Sequence, residues 1–288
     1  GDETKKEPVV RSVVRSRRDA GKRGRMTPTQ DESGHLMDDD DDDDAGALTR
    51  TKPTTTSYAS ARDVSFRALC RTFERVQRER GRGKADARRR YRALDAFHDG
   101  YLKSRRDGAR VDAFDAYRLL LPTLDKERVA YRLKHDALAK VVIAAFDMSR
   151  ASEDAKRLED WKQRGAGNLP KVIEDVLASG HLAGRENDEE VGFVTIGEVN
   201  ESLDVLAASG NKEERAAILR KLFSRMDATQ VKWVCAVILK ETKIRMGDKS
   251  ILRHFHRDAE DLFDWTCDLR RVCEDLPRRD VRLKREDI

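Results

Sequence analysis

Apolar residues recur at helical spacing from residue 64 onward, and strand-like alternation is nearly absent. The first stripe has steps of one to three residues and consists of Val64, Phe66, Leu69, Cys70, Phe73 and Val76. Such spacing places apolar side chains on one face of a helix. Further helices are predicted over residues 84–104, 112–121, 125–131, 135–147, 152–163, 168–179, 196–208, 213–225, 228–244, 248–256 and 258–275.

Helix-ending and helix-starting residues support these boundaries. Pro122 closes an apolar run, whereas Ser152 and Thr195 stand immediately before predicted helices and are typical N-cap residues. The predicted fold class is all-α. Because about a dozen helices are expected and several are short, an orthogonally packed array is favoured over a long bundle.

The helical part is preceded by a tail of different composition. Residues 1–60 hold almost no aromatic or clustered aliphatic residues and include seven consecutive aspartates at 38–44, so we predict a disordered tail. The helical domain is predicted over residues 61–285. A polar loop at 180–192 separates two halves, about 61–180 and 193–285, and the segments 131–134 and 245–248 lead into helices in similar ways.

Charge shifts the expectation toward a polyanionic partner. The 288-residue chain is 39% charged and 38% hydrophobic, with a formal net charge of +5. The tail holds 11 basic and 13 acidic residues, which leaves 48 basic and 41 acidic residues for the remainder. The predicted folded part is therefore modestly basic, although many soluble proteins share that balance.

Compartment and membrane association follow from cysteine usage and apolar run length. Cys70, Cys235, Cys267 and Cys273 have neither zinc-site spacing nor disulfide-scaffold density, so we expect buried thiols in a reducing compartment. No apolar run is long enough for a membrane span. Basic patches in the tail resemble a nuclear localisation signal, and we expect a nuclear protein without membrane contact.

Enzymatic motifs are missing from the sequence. It contains no P-loop, no GxSxG, no HExxH and no paired zinc-ligand motif, and no catalytic or metal-ligating residue is predicted. His254 and His256 are two residues apart and point to different faces of a helix, so they do not chelate one ion there. We expect His256 and Asp258 to form a helix-junction cap instead.

Phosphate binding at helix N-termini is the chemistry that the sequence favours. Gly247 lets a backbone approach the amides of the helix that follows, and Lys243, Arg245 and Lys249 supply charge. The alternative is that Gly247 only ends the preceding helix in a left-handed cap. Arg132 and Lys134 form the matching candidate in the first half.

Arginine is also concentrated earlier in the chain. Residues 62–110 hold 16 basic and 7 acidic residues, including the runs 88–90 and 105–106. These runs could follow a nucleic-acid backbone. The alternative is that they are solvated helix faces, which attract arginine for solubility and ion pairing.

Several local patterns occur in a fixed order along the chain. They are FRALC with FERVQ from residue 66, YRLLLP from 117, RVAYRLKHDALAK from 128, DAKRL with WK from 154, KW at 232, ILK at 238 and FHRDA from 255. Together, in order and spacing over roughly residues 64–285, they resemble ligase IV-type ATP-dependent DNA ligases.

The resemblance implies an all-helical DNA-binding domain of two pseudo-symmetric halves that grips the minor groove around a nick. In the family, a nucleotidyltransferase domain follows, in which a KxDG lysine takes AMP from ATP with magnesium. This chain contains no KxDG, and Arg105 begins the nearest string, RRDG. Because guanidinium stays protonated and cannot attack a phosphate, we expect no ligation by this chain alone.

The family's DNA contacts carry over to residues 131–134 and 244–247 with Lys249. Family members usually have glycine where this chain has Arg132. The resemblance also implies end-joining partners, including a nuclease tail on the first two helices, where residues 88–90 are unusually rich in arginine. The predicted DNA-binding residues are Arg132, Lys134, Lys140, Lys243, Arg245, Gly247 and Lys249. A helical interaction scaffold with a basic surface is the alternative function.

Overall fold

All regular structure in the described part of the chain is helical, which confirms the all-α fold class. The computed structural model describes residues 60–79, 81, 83–102, 112–164, 167–183, 193–277, 279–280 and 282–283. The α-helices among them are α1 (Phe66–Arg78), α2 (Lys84–Phe97), α3 (Phe114–Leu120), α4 (His135–Ala145), α5 (Glu153–Glu159), α6 (Trp161–Arg164), α7 (Leu169–Ser179), α8 (Ile196–Ala208), α9 (Lys212–Phe223), α10 (Ala228–Ile238), α11 (Asp248–Phe255), α12 (Ala259–Thr266) and α13 (Leu269–Asp275). A 3₁₀ turn (Ala61–Asp63) precedes α1, and a π-helical turn (His98–Leu102) continues α2.

The core is built by helices that are remote in sequence. Helix α10 packs against α7 and α1, α4 packs against α9, and α8 packs against α3 and α9. The predicted stripe on α1 is buried as expected. The starts of α1 and α8 are joined, because the Phe66 amide donates to the Val194 carbonyl at 2.8 Å and the Ile196 amide donates to the Val64 carbonyl at 2.8 Å. The division into two pseudo-symmetric halves stays a prediction, and residues 1–59 of the predicted tail lie outside the described residues.

The predicted caps are present. The Ser152 hydroxyl accepts from the Ala155 amide at 3.2 Å, and Thr195 and Glu198 form a reciprocal capping box at the start of α8. Helix α3 ends at Leu120, two residues before Pro122. These caps act within three residues of chain, which is why the sequence alone located them.

Four predicted helices have different bounds in the structure. Residues 125–131 form a turn, because the Asp125 carboxylate accepts from the Glu127 amide at 3.0 Å and Arg128 points into the protein. The helix predicted over 228–244 ends at Ile238, and that over 152–163 divides into α5 and α6. The helix predicted over 258–275 breaks at Cys267, a left-handed residue with φ of 49° that ends α12.

Burial of the cysteines was predicted correctly for three of four. Cys70, Cys235 and Cys273 are buried free thiols, but Cys267 is exposed, so that prediction was wrong for Cys267. Its position in the left-handed turn between α12 and α13 keeps the side chain at the surface.

The two neighbouring histidines have structural partners. His256 ends α11, and its Nδ1 accepts the Asp258 amide at 3.0 Å, which confirms the predicted junction cap. His254 Nε2 lies 2.9 Å from the Asp95 carboxylate. Among the residues that the structure describes, no group of three or more His, Cys, Asp or Glu side chains is arranged to hold a metal ion.

The packing of α2 against α11, where His254 contacts Asp95, should weaken in acid. Burial lowers the pKa of His254, and burial together with Arg279 lowers that of His98. The folded state therefore favours neutral imidazoles, so stability is lost as the pH falls through the unfolded-state pKa of about 6.5. We expect the melting temperature to fall between pH 7.5 and pH 5.5. A His98→Gln/His254→Gln double variant, measured by the same thermal scans, should show a smaller fall, and an unchanged fall would contradict this assignment.

Candidate nucleic-acid interface

The segment before α4 turns sharply and presents two basic residues. Arg132 is exposed and adopts a left-handed conformation with φ of 53°. Leu133 is buried and anchors the turn. Lys134 is the exposed N-cap residue of α4, has an extended backbone, and makes no side-chain capping hydrogen bond. We call residues 132–134 the α4 approach.

The segment before α11 repeats that geometry. Arg245 is exposed with φ of 58°, Met246 is partly buried against the core, and Gly247 is the extended N-cap residue of α11. We call residues 245–247 the α11 approach. Residue by residue, Arg245 corresponds to Arg132 and Gly247 to Lys134. The sequence comparison of 131–134 with 245–248 was therefore displaced by one position.

The two approaches lead to helix starts without side-chain caps. Cap side chains accept a first-turn amide in six other helices, whereas α1, α2, α3 and α12 also begin without such a bond. The six are α5 (Ser152), α7 (Asn168), α8 (Thr195), α9 (Asn211), α10 (Asp227) and α13 (Asp268). A helix start whose amides are not used by a cap side chain can donate them to an anion, and the helix dipole adds to the attraction.

Gly247 leaves the α11 start open. Its φ is −75°, and a Cβ added there would meet no atom within 4 Å. The left-handed C-cap alternative is excluded, because α10 already ends at Ile238 and Gly247 begins α11. Open space in front of the amides is what close approach of a phosphate requires.

Each of these helices has an aspartate in its first turn, and another side chain holds each carboxylate. Trp161 Nε1 donates to Asp136 at 3.0 Å, and the Thr123 hydroxyl donates to Asp248 at 2.8 Å. The hydrogen bond from Trp161 lowers the pKa of Asp136, and attraction from the nearby Lys162 adds to this effect. Trp161 also stacks on His135, with ring centroids 4.8 Å apart. The sequence analysis missed Thr123 and assigned Trp161 no role.

A single glutamate connects the two segments. Glu241 lies 3.3 Å from His135 Nε2, at the start of α4, and 2.9 Å from Lys243 Nζ, before α11. Partial burial opposes ionisation of Glu241, but hydrogen bonding and attraction from Lys243 leave its pKa lowered. The carboxylate therefore stays ionised, and it links the start of α4 to Lys243 in the segment that leads to α11.

Two other residues that the sequence predicts to bind DNA, Lys249 and Lys140, are not uncompensated charges at a helix start. Lys249 lies 3.0 Å from Glu260 and 3.1 Å from Asp264, and these contacts raise its pKa. Its charge is thus already compensated within the protein. Lys140 is exposed but lies in the second turn of α4 and not at its start. No contact in the structure tests DNA binding by any of the seven residues, which stays a prediction.

The early arginine runs are mainly structural or outside the described residues. Arg90 is 9% exposed and donates to the carbonyls of Glu79 and Gly81 at 2.8 and 2.9 Å. It therefore closes the break between α1 and α2. Arg88 and Arg89 are exposed, and Arg89 lies 3.3 Å from Asp86. Residues 105–106 lie outside the described residues.

Backbone strain is concentrated around these segments. Of the six non-glycine residues with positive φ in the described chain, four precede α4 or α11: Arg132, Lys240, Lys243 and Arg245. A side chain in the left-handed region costs about 1–2 kcal/mol, and such outliers cluster where function requires them. The left-handed Arg132 also explains why glycine suits this position in the resembling family.

Arg132→Gly should separate strain from binding. Glycine adopts φ of 53° without a steric penalty, so we expect the free energy of unfolding to rise by up to about 1 kcal/mol. DNA affinity should fall at the same time because a positive charge is removed. Urea unfolding and binding titrations measure the two effects. Arg150→Gly, at an exposed position without positive φ, is the control and should not stabilise the protein.

Comparison with known protein families identifies the family of this chain. The sequence model of the family described as DNA ligase N terminus matches residues 65–256. The chain therefore belongs to the DNA ligase N-terminal family.

Within that family, the chain is of the DNA ligase 4 type. It is 39% identical over 246 residues to a putative DNA ligase 4 of Oryza sativa subsp. japonica, a match of 79% of this chain and 18% of the relative. It is 38% identical over 233 residues to DNA ligase 4 of Arabidopsis thaliana, a match that covers 78% of this chain and 18% of that relative. It is 34% identical over 235 residues to DNA ligase 4 of Homo sapiens, a match that covers 77% of this chain and 24% of that relative. The chain thus matches less than a quarter of the length of these relatives.

Proposed function

We propose that this chain is the DNA-binding part of an ATP-dependent DNA ligase that acts in the nucleus, in double-strand-break repair by non-homologous end joining. It grips duplex DNA around a nick through phosphate and minor-groove contacts. The observation that carries this proposal is the repeated geometry of the two approaches, each with an exposed arginine two residues before an uncapped helix start.

Sequence-independent binding suits a ligase. A nick arises at any sequence, and contacts to phosphates position a protein on DNA without reading bases. Helix amides and guanidinium groups are donors of this kind. Glu241 lies between the start of α4 and the segment before α11, so the two approaches can contribute to one surface.

The chemical step is proposed for another part of the full-length ligase. The described residues form no metal-ligating group, and the sequence has no KxDG lysine. ATP and magnesium are proposed as cofactors of the full-length enzyme. End-joining proteins are proposed partners, including a nuclease tail on α1 and α2. None of the described helices is long and apolar enough to cross a membrane.

Binding to nicked duplex at increasing salt tests the proposal. We expect affinity to fall by about a thousandfold between 50 and 200 mM salt if six or more phosphates are contacted. Labelled ATP should leave no covalent AMP on this chain. Absent or salt-insensitive DNA binding would instead favour the interaction scaffold with a basic surface.

A further inference from the structure

A cavity of about 350 Å³ lies between α1 and the start of α10, and none of its lining residues belongs to either approach. Arginines at intervals of four, four and three residues line it, which places them on one face of α1. The lining from α1 includes Arg67, Arg71, Arg75 and Arg78, and that from the α10 start includes Asp227, Thr229 and Gln230.

The two acidic residues that line this cavity, Asp227 and Glu74, already form ion pairs. Asp227 lies 3.2 Å from Arg67, and Glu74 pairs with Lys232 and accepts Trp233 Nε1 at 2.9 Å. The Cys70 thiol is neutral because burial raises its pKa. Both acidic side chains of the lining therefore have a basic partner outside the set Arg71, Arg75 and Arg78, although Lys232 is shared between Glu74 and Glu174.

Three arginines remain available. Arg71, Arg75 and Arg78 are exposed and make no ion pair or hydrogen bond with any other described residue. Most other arginines of the described chain have such a partner, for example Arg118, Arg128 and Arg270. The cavity thus combines a concave shape with about three uncompensated positive charges.

The position of the cavity separates it from the proposed DNA surface. Arg67 pairs with Asp227 and the Phe73 and Trp233 rings lie 4.5 Å apart, so α1 and α10 run side by side in the same direction. The cavity is at the α10 start, whereas the α11 approach follows the α10 end. Eleven residues of helix span about 16 Å.

We propose that this cavity binds a phosphorylated serine or threonine in an acidic segment of a partner protein. A phosphate monoester carries nearly two negative charges and three acceptor oxygens, so several guanidinium groups can donate to it at once. A carboxylate offers less charge and fewer oxygens. Arginine clusters recognise phosphorylated motifs by this chemistry. In combination with the proposed DNA binding, the domain holds a partner and a DNA end together.

The test uses the whole chain and a fluorescein-labelled peptide, Gly-Asp-Glu-pSer-Asp-Glu-Gly. We expect it to bind at least about tenfold more tightly than its unphosphorylated form. The Arg71→Gln/Arg75→Gln/Arg78→Gln variant should lose that preference. The matched control, Lys84→Gln/Arg88→Gln/Arg92→Gln, removes three exposed charges from α2 and should change affinity by less than about twofold.

Competition with nicked duplex separates this proposal from the proposed function. We expect the phosphopeptide to remain bound when DNA is added, and the α1 variant to bind DNA with nearly normal affinity. Equal binding of both peptides, equal losses in both variants, or displacement of the peptide by DNA would each overturn the proposal. A chain that bound no DNA could still bind the phosphopeptide, so the two failures are distinguishable.

Discussion

Replacing Arg132, Lys134 and Arg245 together by glutamate is expected to lower the affinity for nicked duplex by at least about a hundredfold. Each positive charge removed takes away a phosphate partner, and each glutamate adds repulsion. The slope of log affinity against log salt should decrease by about one unit for every phosphate that the variant no longer neutralises. Fluorescence anisotropy at several salt concentrations measures both quantities.

A control variant with the same change in net charge is available. Lys84, Arg88 and Arg92 are exposed and lie outside the two approaches, and their replacement by glutamate should reduce affinity much less. Equal losses in the two variants would mean that binding depends only on overall charge. Lys243 and Lys249 are left unchanged, because a glutamate would face Glu241 at the first position and Glu260 and Asp264 at the second.

Arg128→Met is expected to lower the free energy of unfolding by about 3–5 kcal/mol, because it breaks a buried ion pair with Asp125, which then keeps only Arg118 as a partner. Arg128 is 2% exposed and lies 3.1 Å from both Asp125 and Asp204. It also donates to the Asn200 side chain on α8. Urea unfolding measures the loss.

The same substitution should reduce DNA affinity. Arg128 fixes residues 121–134, the loop that ends in the α4 approach, against α8. Arg150→Met, at an exposed position, is the control and should change stability by less than about 0.5 kcal/mol. A loss below about 1 kcal/mol in Arg128→Met would show that Arg118 alone satisfies Asp125, which lies 3.0 Å from it.

The candidate site was predictable from the sequence only in part. The basic residues and Gly247 stood out because they precede predicted helices. Their backbone conformations did not, since nothing local marks Arg132 or Arg245 as left-handed. Lys249 was assigned a free charge because Glu260 and Asp264 belong to the next helix, and their approach depends on how α11 and α12 pack.

The sequence by itself determined the all-α class, the buried stripe of α1 and the caps at Ser152 and Thr195. Each depends on side-chain spacing or on hydrogen bonds across a few residues. Only the tertiary structure decided that residues 125–131 form a turn, that Arg90 and Arg128 are internal, and that Glu241 links the start of α4 to Lys243. Arg128 donates a hydrogen bond to Asn200, which lies 72 positions away in the sequence. A contact over that distance outweighs local helix propensity, which is worth less than about 1 kcal/mol per residue.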